Sequence, residues 1–285
     1  MSYKIIVDSC GELTQEMKES GHFMNVPLTI DVNGIHIVDD ETFDQAMFLR
    51  EAAAAPDVPK SSCPSPELYM EAYRCEEEHV YAVTLSALLS GSYNSAVLGK
   101  NLYIEEYGEK KIYVFNSRSA SIGQSLIALK IRECEEAGLE FEEVIDAVEE
   151  YIDSQQTYFV LESLDALKKN GRLTGLKAAV VTALNIKPIM GSTPEGSICQ
   201  MGQGRGMKKA LSKLADMIAD NFKEIADKYD PKERAIAISH CNCRERAESL
   251  KKMIMSKIEF KEIIVLDTQG ISSLYASDGG IIVVV

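Results

Sequence analysis

Short apolar runs and helical stripes take turns along this chain, and their order predicts an α/β protein. Lys4–Val7 reads as a buried strand ending at Asp8-Ser9, with a helix beginning near Thr14. Residues 23–40 alternate apolar and polar positions about Asn33-Gly34. That dipeptide accepts the positive φ angles of a tight turn, so the segment predicts a β-hairpin. Phe43–Ala55 has helical spacing, and the prolines between Pro56 and Pro66 make the next stretch a loop. Val80–Leu85 then leads through 86–92 into a helix over Tyr93–Tyr107. Lys111–Phe115 leads through 116–121 into a helix over Ile122–Ala137, and Phe141–Ser154 is a further amphipathic helix. Strands separated by helices predict a parallel sheet with helices on its faces.

The pattern changes after residue 156. Tyr158–Leu161 reads as a strand, and the helix LDALKKNG stops at Gly171. Ala178–Leu184 is a small-residue apolar segment, followed by a strand at Ile186–Met190, a turn through Pro194-Glu195-Gly196 and a long amphipathic helix over Met207–Tyr229. Strands at Ala235–Ser239, Glu262–Leu266 and Gly280–Val285, with a helix over Arg244–Ser256, complete the chain. The expected architecture is two α/β domains. Residues 1–156 form the N-terminal parallel sheet with flanking helices, and 157–285 form a C-terminal mixed or antiparallel α/β domain.

Composition narrows the function. With 30 Lys and Arg against 44 Asp and Glu, the formal charge is −14. Neutralising nucleic-acid phosphates needs a basic face, so no nucleic-acid partner is expected. The same acidity disfavours an anionic membrane surface. No apolar run approaches the roughly 20 residues of a membrane-spanning helix, and no leader pattern precedes Lys4, so a cytoplasmic protein without stable membrane insertion is expected. Seven cysteines, an odd number, fit reduced thiols. Cys241 and Cys243 lie beside His240, but no second ligand pair follows, so no metal and no cofactor are expected.

The chemistry-bearing signal is hydroxyl clustering in loops. Ser61-Ser62-Cys63-Pro64-Ser65 follows a helix, and Ser90-Gly91-Ser92 sits where a sheet strand hands over to a helix. In open α/β sheets that is where ligands bind, and the free N–H groups of a helix start favour an anion. Gly91 lets backbone approach closely, and the absence of an adjacent Lys or Arg suits a carboxylate better than a phosphate ester. Ser90 or Ser92 capping the helix is the simpler alternative. Asn116–Ser121 repeats the pattern one strand later, with Arg118 free to pair with a surface carboxylate. Gly202–Gly206 is a glycine-rich stretch carrying Arg205, either a partner contact or a solvated turn. The chain contains no G-x-S-x-G elbow, phosphate-loop motif or H-E-x-x-H.

Taken in order, IIVDSCGELT, KSSCPSPELY, LSALLSGSYNSAVLGK, VFNSRSASIGQ, LDALKKNGRLTG, LNIKPIM, GQGRGMKKA and ISHCNCRERAESL resemble the DegV family along essentially the full length. The resemblance implies a bacterial two-domain protein that encloses one long-chain fatty acid between its domains and catalyses no reaction itself. In bacteria with a fatty acid kinase, such proteins present the carboxylate to a separate kinase subunit. Ser61 stands where the family has a threonine that contacts the carboxylate, and Ser90 matches a serine on its other side. Ser62, Gly91 and Ser92 are their neighbours, and Arg205 matches a kinase-facing arginine. The family's C-terminal H-T-G-P-G is absent here. Tyr275–Gly280 stands in its place, with Tyr275 or Ser277 as the candidate replacement contact, and the departure bears on the kinase partnership. About 14 buried methylenes at roughly 0.8 kcal/mol each make the tail dominate affinity, and Ala178–Leu184 is a candidate tunnel wall. The alternative is a serine hydrolase acting on lipid esters with Ser90 as nucleophile.

Overall fold

A computed structural model describes residues 2–173, 185–224 and 228–285. In chain order the elements are β1 (Tyr3–Asp8), α1 (Gln15–Glu19), β2 (Phe23–Val26), β3 (Thr29–Val32), β4 (Ile35–Val38), α2 (Gln45–Ala54), β5 (Lys60–Ser62) and α3 (Pro66–Ala72). Then come β6 (His79–Thr84), α4 (Ser92–Tyr107), β7 (Lys111–Asn116), α5 (Ile122–Glu136), α6 (Phe141–Ser154), β8 (Thr157–Val160) and α7 (Asp165–Lys169). The remainder is β9 (Ile186–Ser192), β10 (Ile198–Arg205), α8 (Gly206–Glu224), β11 (Ala235–His240), α9 (Arg244–Met255), β12 (Glu262–Asp267), α10 (Gly270–Ala276) and β13 (Ile281–Val284).

The described residues form three sheets. The first is parallel throughout, in the order β2-β1-β6-β7. Its central strands β1 and β6 are buried on both faces, so they read as largely apolar runs. Ile5, Val7, Tyr81 and Phe115 pack against α5 and α6, while Ile6, Val80, Ala82 and Val114 face Tyr69, Tyr73 and Ala96 of the α3–α4 layer. The α3–α4 contact closes over Gly99, where a Cβ would come within 2.6 Å of the Pro66 carbonyl oxygen.

The second sheet is mixed, ordered β10-β9-β8-β13-β11-β12, with only β11–β12 parallel. Its core joins Val160, Ile189, Ile236 and Val283 to Leu211, Leu214 and Ile218 of α8. Helix α5 serves both sheets. It packs on β1 and on β11, and Ile122 and Leu126 meet Ala237 and Val284. The small third sheet, β4-β3-β5, is antiparallel.

The α/β class and the two sheet types are as expected, and several details differ. Only 29–38 form the hairpin about Asn33-Gly34, because Phe23–Val26, cut off by Pro27, joins β1 in parallel. The proline-punctuated loop contains β5, held to β3 by the pairing Ile30↔Ser61. The glycine-rich stretch through Arg205 is the edge strand β10, and α10 was not anticipated. Ala178–Leu184 lies outside the described residues.

Candidate functional site

The C-terminal ends of β6 and β7 open into the loops 85–91 and 117–121, and both loops face the second sheet. Between them lies a cavity of about 390 Å³, within the roughly 300–1,000 Å³ typical of small-molecule sites. From β8, Thr157, Phe159 and the following Leu161 line it, while Tyr158 and Val160 point the other way into the core. This is the two-residue alternation of a strand. Leu28, Leu89, Ile198 and Ile282 add apolar wall, as do Ile271 and Ala276 from α10.

One end is polar. Ser61, Ser62, Ser90, Gly91, Arg172 and Tyr275 all line it. The Ser61 and Tyr275 hydroxyls are 2.9 Å apart. One of them donates to the other, which leaves one proton of the pair for a ligand. Arg172 sits with its guanidinium 5.7 Å from the Tyr275 ring centroid and donates through Nε to the Leu89 carbonyl at 3.2 Å. Gly91 stands at the start of α4 in helical conformation with no side chain capping it, and it packs beside Cys63. The Ser90 hydroxyl accepts from the Ser92 N–H at 3.2 Å. It thus ties the turn ahead of α4 without capping the helix, whose N-cap is Gly91.

Other anticipated residues do not line the cavity. Ser92 is fully buried and donates to Asp8 Oδ2 at 2.6 Å, with its hydroxyl 2.7 Å from that of Tyr69. Ser277 ends α10 with a φ of 56°, and Arg205 is exposed at the end of β10. Arg118 does line the cavity and pairs with Asp153 at 2.6 Å. Arg172 was missed. It lies inside LDALKKNGRLTG, but nothing in its local spacing set it apart from a surface arginine.

Buried carboxylates hold these loops. Asp8, at the end of β1, accepts from Leu85 N, Ser92 Oγ, Gln124 Nε2 and Cys10 N, and so fixes the loop that carries Ser90. Burial raises its pKa, and those hydrogen bonds oppose the rise. Glu12 accepts from Ser121 at 2.8 and 2.9 Å, and the Ser121 hydroxyl also lies 2.8 Å from that of Ser239 on β11. Burial pushes the Glu12 carboxyl up to about 7. Asp39 accepts from Ser9 and from the backbone of α10, and burial pushes it up to about 6.

The hydrolase alternative finds no support. An activated serine needs a base within hydrogen-bond reach, and each histidine is placed elsewhere: His22 with the Tyr3 carbonyl, His36 with Asp31, His79 with Glu135 and His240 with Asp267. Among the described residues no group of three or more His, Cys, Asp or Glu converges for a metal, and no helix is long and apolar enough to cross a membrane. A second depression of about 940 Å³ is lined by charges of both signs, including Lys130, Glu133, Glu150 and Lys232, interspersed with apolar groups such as Leu126, Leu129 and Ala147.

A family model described as an uncharacterised protein of the DegV family matches residues 2–285. A DegV domain-containing protein of Streptococcus pneumoniae is 33% identical over 284 residues, 99% of this chain and 98% of the relative. A DegV-family crystal structure from Ruminococcus gnavus, refined with vaccenic acid, matches with a TM-score of 0.95 at 58% identity over 100% of both chains. The Streptococcus pneumoniae fatty acid kinase B3 protein loaded with linoleic acid matches with a TM-score of 0.85 at 32% identity, over 100% of this chain and 99% of its own.

Proposed function

The chain belongs to the DegV family, and on that premise we propose that it binds one long-chain fatty acid in the cavity and catalyses no reaction itself. The observation that carries this reading is a cavity with an extensive apolar wall and a cluster of Ser61, Ser90, Gly91, Tyr275 and Arg172 in its lining, where the one other lining arginine, Arg118, is already paired with Asp153. A carboxylate placed there accepts a hydrogen bond from each of the Ser61 and Tyr275 hydroxyls, so their mutual hydrogen bond gives way to two bonds to the ligand. Ser90, Ser62 and Gly91 complete that end, and Ser92 acts behind it through Asp8. The relatives solved with vaccenic and linoleic acid support the ligand class.

Tyr275 takes over the contact that the family assigns to a histidine, and Ser277 lies beside it in sequence. Arg205, exposed on β10, is the contact offered to a fatty acid kinase subunit, a partnership supported by the likeness to the kinase B3 protein. We place the domain division between 156 and 157, and the protein in the cytoplasm, where its free thiols stay reduced.

The test replaces Ser61 and Ser90 together by alanine and measures affinity for palmitate and for hexadecanol by titration calorimetry. The carboxylate loses two polar contacts, so palmitate affinity falls roughly ten- to a hundredfold, and hexadecanol affinity falls much less. Unchanged palmitate binding removes both serines from the site.

A further inference from the structure

Tyr275 meets Ser61 from across the cavity, and neither residue's own neighbours explain why the two hydroxyls coincide. Ser61 belongs to β5, fixed by its pairing with β3. Tyr275 belongs to α10, seven residues long, whose Ile271, Ser272, Tyr275 and Ala276 all face the cavity. A helix so short has little stability of its own and takes its position from whatever holds its ends.

At the start of α10 that holder is Asp39, which follows β4 in the same small sheet as Ser61. Asp39 Oδ1 accepts from Gly270 N at 2.7 Å, and Oδ2 accepts from Ile271 N at 3.0 Å and from Ser9 Oγ at 2.9 Å. The Asp39 N–H in turn donates to the Leu28 carbonyl, which locks the carboxylate to the sheet. Contact is close enough that a Cβ on Gly270 would sit 2.5 Å from Oδ1, so glycine is the residue that admits the clamp. One small sheet therefore places both halves of the Ser61–Tyr275 pair, one through β5 and the other through Asp39.

We propose that Asp39 is a positioning residue for the head-group end: by clamping the start of α10 it sets Tyr275 at hydrogen-bond distance from Ser61 and from a bound carboxylate. This rests on the fatty-acid reading above. The clamp touches no ligand atom and acts on the carboxylate through Tyr275 alone.

The experiment is a double-mutant cycle on the full chain with D39N, Y275F and the double variant, each titrated with palmitate and with hexadecanol. An amide at this position offers one acceptor oxygen where the carboxylate offers two, and the helix start loosens. D39N then weakens palmitate about tenfold and leaves hexadecanol within about twofold. In the Y275F background the added D39N loss disappears, because the group it positions is already gone. Gly270→Ala, which crowds the carboxylate without removing it, reproduces the palmitate-specific loss and stands in if D39N fails to fold. An equal D39N loss in both backgrounds, or an equal loss for acid and alcohol, overturns the clamp while leaving the fatty-acid reading intact. A parent chain that binds no palmitate overturns that reading and the clamp with it.

Discussion

Removing about eight methylenes from the acyl chain is expected to weaken binding by at least about a thousandfold. Each buried methylene contributes about 0.8 kcal/mol, so eight contribute roughly 6 kcal/mol, from which the lower ordering cost of a shorter chain is subtracted. The wall that supplies this energy is specific: Phe159, Leu161, Ile198, Ile282, Leu28 and Ile271. Palmitate and octanoate titrated under one condition check it, and a difference of less than tenfold places the tail outside the cavity. The hydroxyl end contributes less, since each neutral hydrogen bond is worth about 1 kcal/mol net. In the proposed reading its role is to keep the carboxylate from being buried unpaired, which is costly.

The second large effect concerns Glu12 and runs against the usual sign for a carboxyl. In the unfolded chain Glu12 titrates near 4.5, and in the folded protein near 7. Below the lower value both states hold the proton and no stability difference arises. Between the two, the folded protein keeps a proton that the unfolded chain has lost, so stability falls as pH rises; above 7 the full cost is present. At about 1.4 kcal/mol per pH unit the loss amounts to about 3 kcal/mol. Glu12→Gln cannot ionise, so its stability relative to the parent chain improves by about 3 kcal/mol between pH 4.5 and 8. Urea unfolding of both proteins across that range measures it, and a pH-independent difference contradicts it. The charge is costly, yet the residue organises Ser121, held at a φ of 57°, against Ser239. It thereby joins the start of α5 to β11, beside a cavity wall that Ser121 itself supplies.

The strands of the first sheet were legible because β1 and β6 are buried on both faces, β7 keeps an apolar centre, and all three stand among helices. What sequence could not decide were questions of partnership. Phe23–Val26 carries the same alternation in a hairpin as in a parallel edge strand, and only its pairing with Ile5–Asp8 chooses. Lys60–Ser62 is a strand solely because β3 lies beside it. Helix α10 is only seven residues long, too short for its Ile271, Leu274 and Tyr275 to announce a helix, and its start depends on a carboxylate 231 positions away in sequence.

The cavity was hidden for a related reason. Phe159 and Leu161 look like core residues, and nothing local separates a side chain that meets other side chains from one that lines a channel. Ser90 and Gly91 stand where β6 hands over to α4, a position sequence can mark, whereas Ser61 reaches the same lining only because β5 pairs with β3. Ser92 carried the same signal but turns inward to Asp8 and Tyr69, since on a helix one position changes the direction faced.

Denaturing extraction of the purified protein followed by mass spectrometry asks whether the cavity holds the ligand its walls fit. Close to one long-chain fatty acid per chain, exchangeable with added palmitate, is the expected result. Recovery of no acyl chain, together with none taken up on incubation, contradicts fatty-acid binding outright.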